Sequence, residues 1–369
     1  MASGLAMDRS PGSGQAIVRE ARRVSNTIVY VSCAEERVIE RFRLDPSSGS
    51  LARLGRTPIP GVDAPSATSP LAISPDRRFL YAALREEPNP VSSFAIAGPD
   101  GALQHLATAP LPESMCYIET DPEGRWLLSA SYFGAVVAVS PIDPDGAVRR
   151  APTQIVKTPP KAHCVLFEPD GKHVYAPCLG GDAVLLWHWD AEAGLVAPDA
   201  FRQASLAPGA GPRHLTFSRD GRAAYVVNEL DGTVTVFARA AESGELTPRQ
   251  TIPAAAGSVP GSAAAADIHL SPDGRFLYAS VRSDSHLAVF AVNGDATLNP
   301  IERVPVETTP RGFAIDPSGR VLVCAGRDAA ACGTYAIDPS SGRLSRREHV
   351  AVGGNPNWVE IIELDAAAS

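Results

Sequence analysis

Histidine, glutamate and arginine recur at matching positions along this 369-residue chain. In Gly211 to Leu230, GPRHLTFSRDGRAAYVVNEL, Arg213 and His214 enter one apolar run, and Asn228 and Glu229 leave the next. Elsewhere the same positions hold His163, Asp267, Arg282 and Arg311. A histidine or glutamate of near-neutral pKa can act as a general base. Arginine offers paired hydrogen bonds to a carboxylate or phosphate and can stabilise a developing oxyanion. The set suits base-assisted chemistry on a small anion.

The elements that position these groups are short hairpins. LTF and AAYVV read as antiparallel strands joined at Arg219-Asp220-Gly221, because glycine tolerates positive φ and aspartate bonds its own backbone. A hairpin returns its exit to the edge where it entered, so its polar ends converge. The unit occurs six times, with turns beginning at Ser74, Asp121, Glu168, Ser218, Ser271 and Asp316, and hence spacings of 47, 47, 50, 53 and 45 residues. Such a period is that of propeller blades. Two further strand-like runs and a second turn separate successive copies, which predicts four short antiparallel strands per blade. A seventh unit is split: TIVYVSC, from Thr27, matches a second strand, and NWVEIIEL, Asn357 to Leu364, an unpartnered first strand. Joining them closes a ring and removes exposed sheet edges. The expected architecture is an all-β, seven-bladed propeller over residues 26–364, with tails at 1–25 and 365–369 and Met7 as an alternative start.

In such a blade the innermost strand starts, and the second strand ends, at one face of the disc. Five residues before each turn stand Ser69, Cys116, His163, Arg213, Ala266 and Arg311, with His214 and Asp267 one step further on. The second-strand exits are Ala34, Arg85, Tyr132, Leu179, Glu229, Arg282 and Arg327. A wet channel mouth carries solvated charges in any propeller. Here, however, cations gather in a chain of formal charge −8, against the net charge, which favours an anionic ligand.

Composition narrows the rest. The 31 glycines and 33 prolines fit a turn-rich fold. No basic run is present, so neither nucleic acid nor an anionic membrane is an expected partner. No apolar run approaches the roughly 20 residues of a membrane helix, and the first 25 residues contain no secretory h-region. The six scattered cysteines form no Cys-x-x-Cys pair and read as buried thiols of a cytoplasmic protein. There is no Gly-x-Ser-x-Gly, His-Glu-x-x-His, P-loop or Rossmann fingerprint. His163, His214, Glu229, Asp267 and His269 share a neighbourhood, yet no compact metal-ligand spacing links them, and the arginines would repel a cation. Neither a metal nor a cofactor is expected. His105, His173, His188, His286 and His349 read as strand or surface histidines. Trp126, Trp187, Trp189 and Trp358 read as inter-blade packing.

GPRHLTFSRDGRAAYVVNEL, AADIHLSPDGRFLYASVR, TPRGFAIDPSG and GGNPNWVEI resemble the bacterial seven-bladed 6-phosphogluconolactonases, with fungal carboxymuconate cyclases as more distant relatives. The resemblance covers nearly the whole propeller. It implies hydrolysis of a sugar lactone, with catalytic roles for His163, Arg213, Glu229 and Arg282, and matches Arg311 to the family's inner-strand arginine. His214, Asp267, Arg311, Lys161 and Tyr132 are the expected substrate contacts. Several relatives carry Pro-His-x-His where this chain has Pro160-Lys161-Ala162-His163, so a lysine replaces the first histidine. Lactone hydrolysis needs an activated water, a stabilised oxyanion and a protonated leaving alkoxide. Either His163 or Glu229 could be the base, and the anion bound could be phosphate or carboxylate. The implied substrate is 6-phospho-D-glucono-1,5-lactone, acted on by a monomer or weak homo-oligomer. An unphosphorylated aldonic or aldaric lactone, a muconate-type cycloisomerisation and a non-enzymatic binding propeller are the competing readings.

Overall fold

The first residue of every repeat turn accepts hydrogen bonds from backbone amides near the following strand. In the serine copies, Ser218 Oγ donates to Asp220 (2.6 Å) and accepts from the Ala223 amide (2.9 Å), and Ser271 repeats the pattern with Phe276. In the acidic copies a carboxylate does the accepting, as Asp316 Oδ1 does from the Arg320 and Val321 amides. Serine, aspartate and glutamate are therefore interchangeable there. The turn also needs one left-handed residue, which is Gly274 at φ +75° in one copy and Arg77 at φ +59° in another. Arg77 accepts a conformation that favours glycine.

The chain is described here by a computed structural model, which covers residue 1 and residues 26–197, 202–257 and 261–364. The expected tails, 2–25 with Met7 and 365–369, lie outside the described residues. The hairpins build seven antiparallel sheets in a ring. Blade 1 runs, from the channel outward, Pro356–Glu363, Thr27–Cys33, Val38–Asp45 and Ser50–Pro58. The split unit thus joins as expected, with Thr27 opposite Glu363 and Val31 opposite Val359. Blade 5 shows the uninterrupted order, with Pro212–Phe217, Ala223–Asn228, Thr233–Arg239 and Leu246–Pro253.

Each blade is sandwiched between two others, which explains the strand patterns. Second strands such as Ala223–Asn228 and Val321–Gly326 are buried along their whole length, whereas outer strands such as Leu344–Ala351 alternate toward solvent. Apolar clusters fill the gaps between consecutive blades; one runs from Val29 and Phe42 to Val323 and Cys332 and seals blade 7 against blade 1. A second device repeats around the ring. The second-strand tyrosine reaches the last turn of the next blade, with Tyr30 bonding the Gly101 carbonyl (2.8 Å), Tyr175 that of Gly244 (2.7 Å) and Tyr278 that of Gly342 (2.9 Å). These buried phenols are satisfied, and each ties one blade to its neighbour. All six cysteines are buried and free, and no helix among the described residues is long and apolar enough to cross a membrane.

Two details differ from expectation. The inner strand of blade 4 shrinks to Leu166–Phe167. Pro177, on the facing strand, has no N–H to give, so His163 can only donate to its carbonyl (3.0 Å), and Lys161 turns left-handed at φ +64°. Trp358 is not simply inter-blade packing, since its ring meets Tyr117 (5.3 Å) and His214 (5.9 Å) and its indole N–H donates to Glu360 (2.8 Å).

At the mouth, blades 7 and 1 approach closely at Gly312. A Cβ there would stand 2.6 Å from the Asn357 carbonyl oxygen, with no flexible side chain to yield. Gly312→Ala is expected to destabilise the ring by about 1–3 kcal/mol, read as a lower urea midpoint. An unchanged midpoint would refute the close approach.

Candidate functional site at the channel mouth

Beta-bulges aim the principal side chains. In blade 5, Pro212 pairs with Asn228 and His214 with Val227, which leaves Arg213 as the extra residue. Blade 7 repeats this with Arg311 between Pro310 and Gly312, and blade 3 with Cys116 between Met115 and Tyr117. In blade 6, Ala266 and Asp267 lie between the paired Ala265 and Ile268. A bulged residue leaves the ladder and turns its side chain out of the alternating pattern. Arg213 of blade 5 and Arg311 of blade 7 can thereby face the same space.

Glu229 is the hub of that space. Its Oε2 lies 3.0 Å from Arg213 Nε and 3.1 Å from Arg282 Nη2. The Arg213 contact is an ion pair without an aligned hydrogen bond. Burial alone would push the Glu229 carboxyl up, but Arg213, Arg282 and Arg311 outweigh it and hold the group below its ordinary value. Arg282 is also fixed by its Nε–H to the Ala264 carbonyl (2.8 Å). Arg311 has no ion pair or hydrogen bond among the described residues. Burial, then Arg213 and Arg282, depress its pKa, although a guanidinium remains charged near neutrality. Arg85, on blade 2, lies within electrostatic reach of Arg311 and, among the described residues, has no carboxylate partner, its guanidinium bonding Ser114 Oγ (3.2 Å) and Thr68 Oγ1 (3.4 Å).

A second chain of contacts holds Arg213 from behind. Its Nη1 donates to the Ala266 carbonyl and to His214 Nε2 (3.1 Å), while His214 Nδ1 donates to Asp267 Oδ1 (2.9 Å). His214 is thereby set as the neutral Nδ1–H tautomer. Burial and then Arg213 push its pKa down to about 4, against the pull of Asp267. Asp267 takes four hydrogen bonds: His214 and the Ile268 amide on Oδ1, and His269 (3.2 Å) and the Phe313 amide (3.1 Å) on Oδ2. That leaves no acceptor position for a sugar hydroxyl. His269 is raised above its ordinary value, because Asp267 and Glu360 outweigh burial.

His163 differs from all of these. It is 4% exposed, and its Nδ1 is buried without a hydrogen-bond partner. Burial, followed by the charges of Arg213, His214, Arg311 and Arg282, holds it well below the usual imidazole range. The ring is therefore neutral and uncommitted. It sits between His214 (5.2 Å) and Tyr132 (5.8 Å), and the Lys161 ammonium lies over the Tyr132 ring at 5.4 Å.

All the expected site residues thus fall in one neighbourhood, although Lys161 and Tyr132 stand at its edge and His214 and Asp267 behind Arg213. Arg327 instead pairs with its neighbour Asp328 (2.7 Å). Tyr117, Trp358, Glu119 and Glu360 escaped sequence reasoning. They line a channel cavity of about 300 Å³ together with Asp267 and His269. Alternation along each inner strand, at i and i+2, was the available signal for them. Among the described residues, no group of three or more His, Cys, Asp or Glu side chains is placed to hold a metal ion.

Fold and site define a closed β-propeller with one cation-lined mouth. The chain belongs to the seven-bladed β-propeller lactonase family, whose profile matches residues 27–361. It is 40% identical over 336 residues to a 6-phosphogluconolactonase of Serratia proteamaculans, covering 91% of this chain and 98% of that one. A Pectobacterium carotovorum 6-phosphogluconolactonase is 39% identical, covering 92% and 99%. Among solved structures, a periplasmic gluconolactonase of Pseudomonas aeruginosa superposes with TM-score 0.81 at 31% identity, covering 92% of this chain and 99% of that one.

Proposed function

We propose that the enzyme hydrolyses 6-phospho-D-glucono-1,5-lactone to 6-phosphogluconate, with His163 as general base. The observation that carries this is the pairing of a neutral, unpartnered imidazole with guanidinium groups that share a single carboxylate. His163 takes a proton from water as the water oxygen attacks the lactone carbonyl carbon. The unclaimed edges of Arg213 and Arg282 stabilise the oxyanion that forms, and Arg311 holds a substrate anion. Collapse expels the ring oxygen, which takes the proton back from His163, and the acid product ionises. Glu229 is held too low by its arginines to be the better base and acts by positioning them. His214 and Asp267 position Arg213 rather than contact substrate. Lys161 and Tyr132 contribute at the rim.

Glu229→Gln is then expected to cost about 10- to 100-fold in kcat through looser arginines, with the pH profile unchanged. Full activity in both this variant and His163→Ala would sink the assignment.

The similarity to the Pseudomonas aeruginosa gluconolactonase favours a second reading, in which the lactone is unphosphorylated. Proton release by purified protein in EDTA separates the two. Freshly generated 6-phosphogluconolactone should be strongly preferred over glucono- and galactono-lactone. Preference for the latter moves the enzyme to sugar-acid catabolism, and no activity on any lactone favours cycloisomerisation or simple binding.

A further inference from the structure

Phe133 is the one phenylalanine, tyrosine or tryptophan among the described residues that stands largely in solvent, at 75% exposure. It follows the second strand of blade 3, beside the mouth. The Arg85 guanidinium lies over its ring at 5.3 Å, and Tyr132 meets it edge-on at 5.2 Å. With Lys161 over Tyr132, blades 2, 3 and 4 present a continuous rim in which two touching aromatic rings lie between two cations. Glu86 and Glu87 follow Arg85 in the chain and Glu113 packs against Gly134, yet among the described residues the Arg85 side chain bonds Ser114 and Thr68 and none of these carboxylates.

The deeper arginines already have work: Arg213 and Arg282 are tied to Glu229 and to backbone carbonyls. Arg85 and Arg311 are not. A phosphate dianion is attracted to such uncommitted cations already in the ground state, whereas the neutral lactone carbonyl needs donors only as charge develops. An exposed phenylalanine beside them would exclude water from the contact, and the lower local dielectric strengthens each charge interaction.

We propose that Arg85, with Arg311, binds the phosphate of the substrate, and that Phe133 closes over that contact, so this rim sets the preference for phosphorylated lactones. The proposal rests on the lactonase reading for its substrate. It requires Arg85 to act on phosphate rather than on the reacting carbonyl.

The test uses the full-length protein with Arg85→Ala and Phe133→Ala, each checked for an unchanged melting temperature. Calorimetric binding of 6-phosphogluconate is measured beside kcat/KM on phosphorylated and unphosphorylated gluconolactone. In Arg85→Ala, product binding should weaken at least tenfold, and the ratio of the two kcat/KM values should fall by a similar factor. Phe133→Ala should move both in the same direction by less. An unchanged ratio with wild-type product affinity would overturn the proposal while leaving the lactonase reading intact. If the wild type hydrolyses no lactone, that reading fails by itself. Binding of 6-phosphogluconate that depends on Arg85 would then still uphold the rim, and its absence would overturn it.

Discussion

Replacing His163 with alanine is expected to lower kcat on the lactone by about 100- to 10,000-fold, the usual weight of a general base. The protein should stay folded, because the buried Nδ1 bonds nothing and its removal strands no partner. The pH profile adds a sharper check. Burial and the surrounding arginines keep His163 far below the usual imidazole range, so the base is already free at neutral pH. After correction for spontaneous hydrolysis, kcat/KM should be flat from about pH 6 to 8 and fall only in acid. A rise through pH 6.5 would point to an unperturbed histidine and contradict the site's electrostatics. The depressed pKa makes His163 a weaker base but a fully available one, which suffices for a lactone already labile in water.

The second large effect concerns stability. Glu119, on the inner strand of blade 3, and Glu360, on the strand that closes blade 1, share the channel cavity. Burial first, and Glu360 second, push Glu119 up to about 8, while burial lifts Glu360 to about 7. Asp267, His269, Tyr117 and the Trp358 indole face the same space. A carboxyl whose folded pKa exceeds its unfolded value stabilises fully below the unfolded pKa, and that contribution is lost as pH rises through the folded one. The wild type should therefore lose stability from about pH 5 to pH 8 through this pair. Raised His269 acts in the same direction, and depressed His214 acts in the opposite one at acid pH. Glu119→Gln removes one member's share, on the order of 2–4 kcal/mol at pH 9 after discounting for channel water. Its urea midpoint should exceed the wild type's at pH 9 and match it near pH 5. A variant that weakens in step with the wild type across that range would rule the pair out as the cause.

Much of this was legible in the chain because the propeller writes its geometry periodically. The turn residues Ser218 and Asp316 look different, yet they accept the same amides, so a loose pattern at fixed spacing located every blade. Counting back from those turns reached Arg213, Arg311 and His163. It could not show that Arg213 and Arg311 are bulge residues, since a bulge depends on pairing with another strand. Nor could it show the state of charge: Glu229 and His163 looked like equal candidates until the arginines around each were placed. Arg85 stood at the counted position but lost its distinction without knowledge of Phe133 beside it. Glu119 and Glu360 lie far apart in sequence and meet only across the closed channel.

The blade made from both chain ends also bears on how the protein is made. Among the described strands, Thr27–Cys33 is the first to emerge from the ribosome and its inner partner, Pro356–Glu363, comes after all the others. Until then the nascent chain is an open arc, with an apolar strand edge of the kind that invites chaperones or mispairing. The arginines and His163 come from separate blades of that arc, so an incomplete chain carries the reactive groups without their shared enclosure. Catalytic competence should therefore be acquired at once, as Pro356–Glu363 closes the ring.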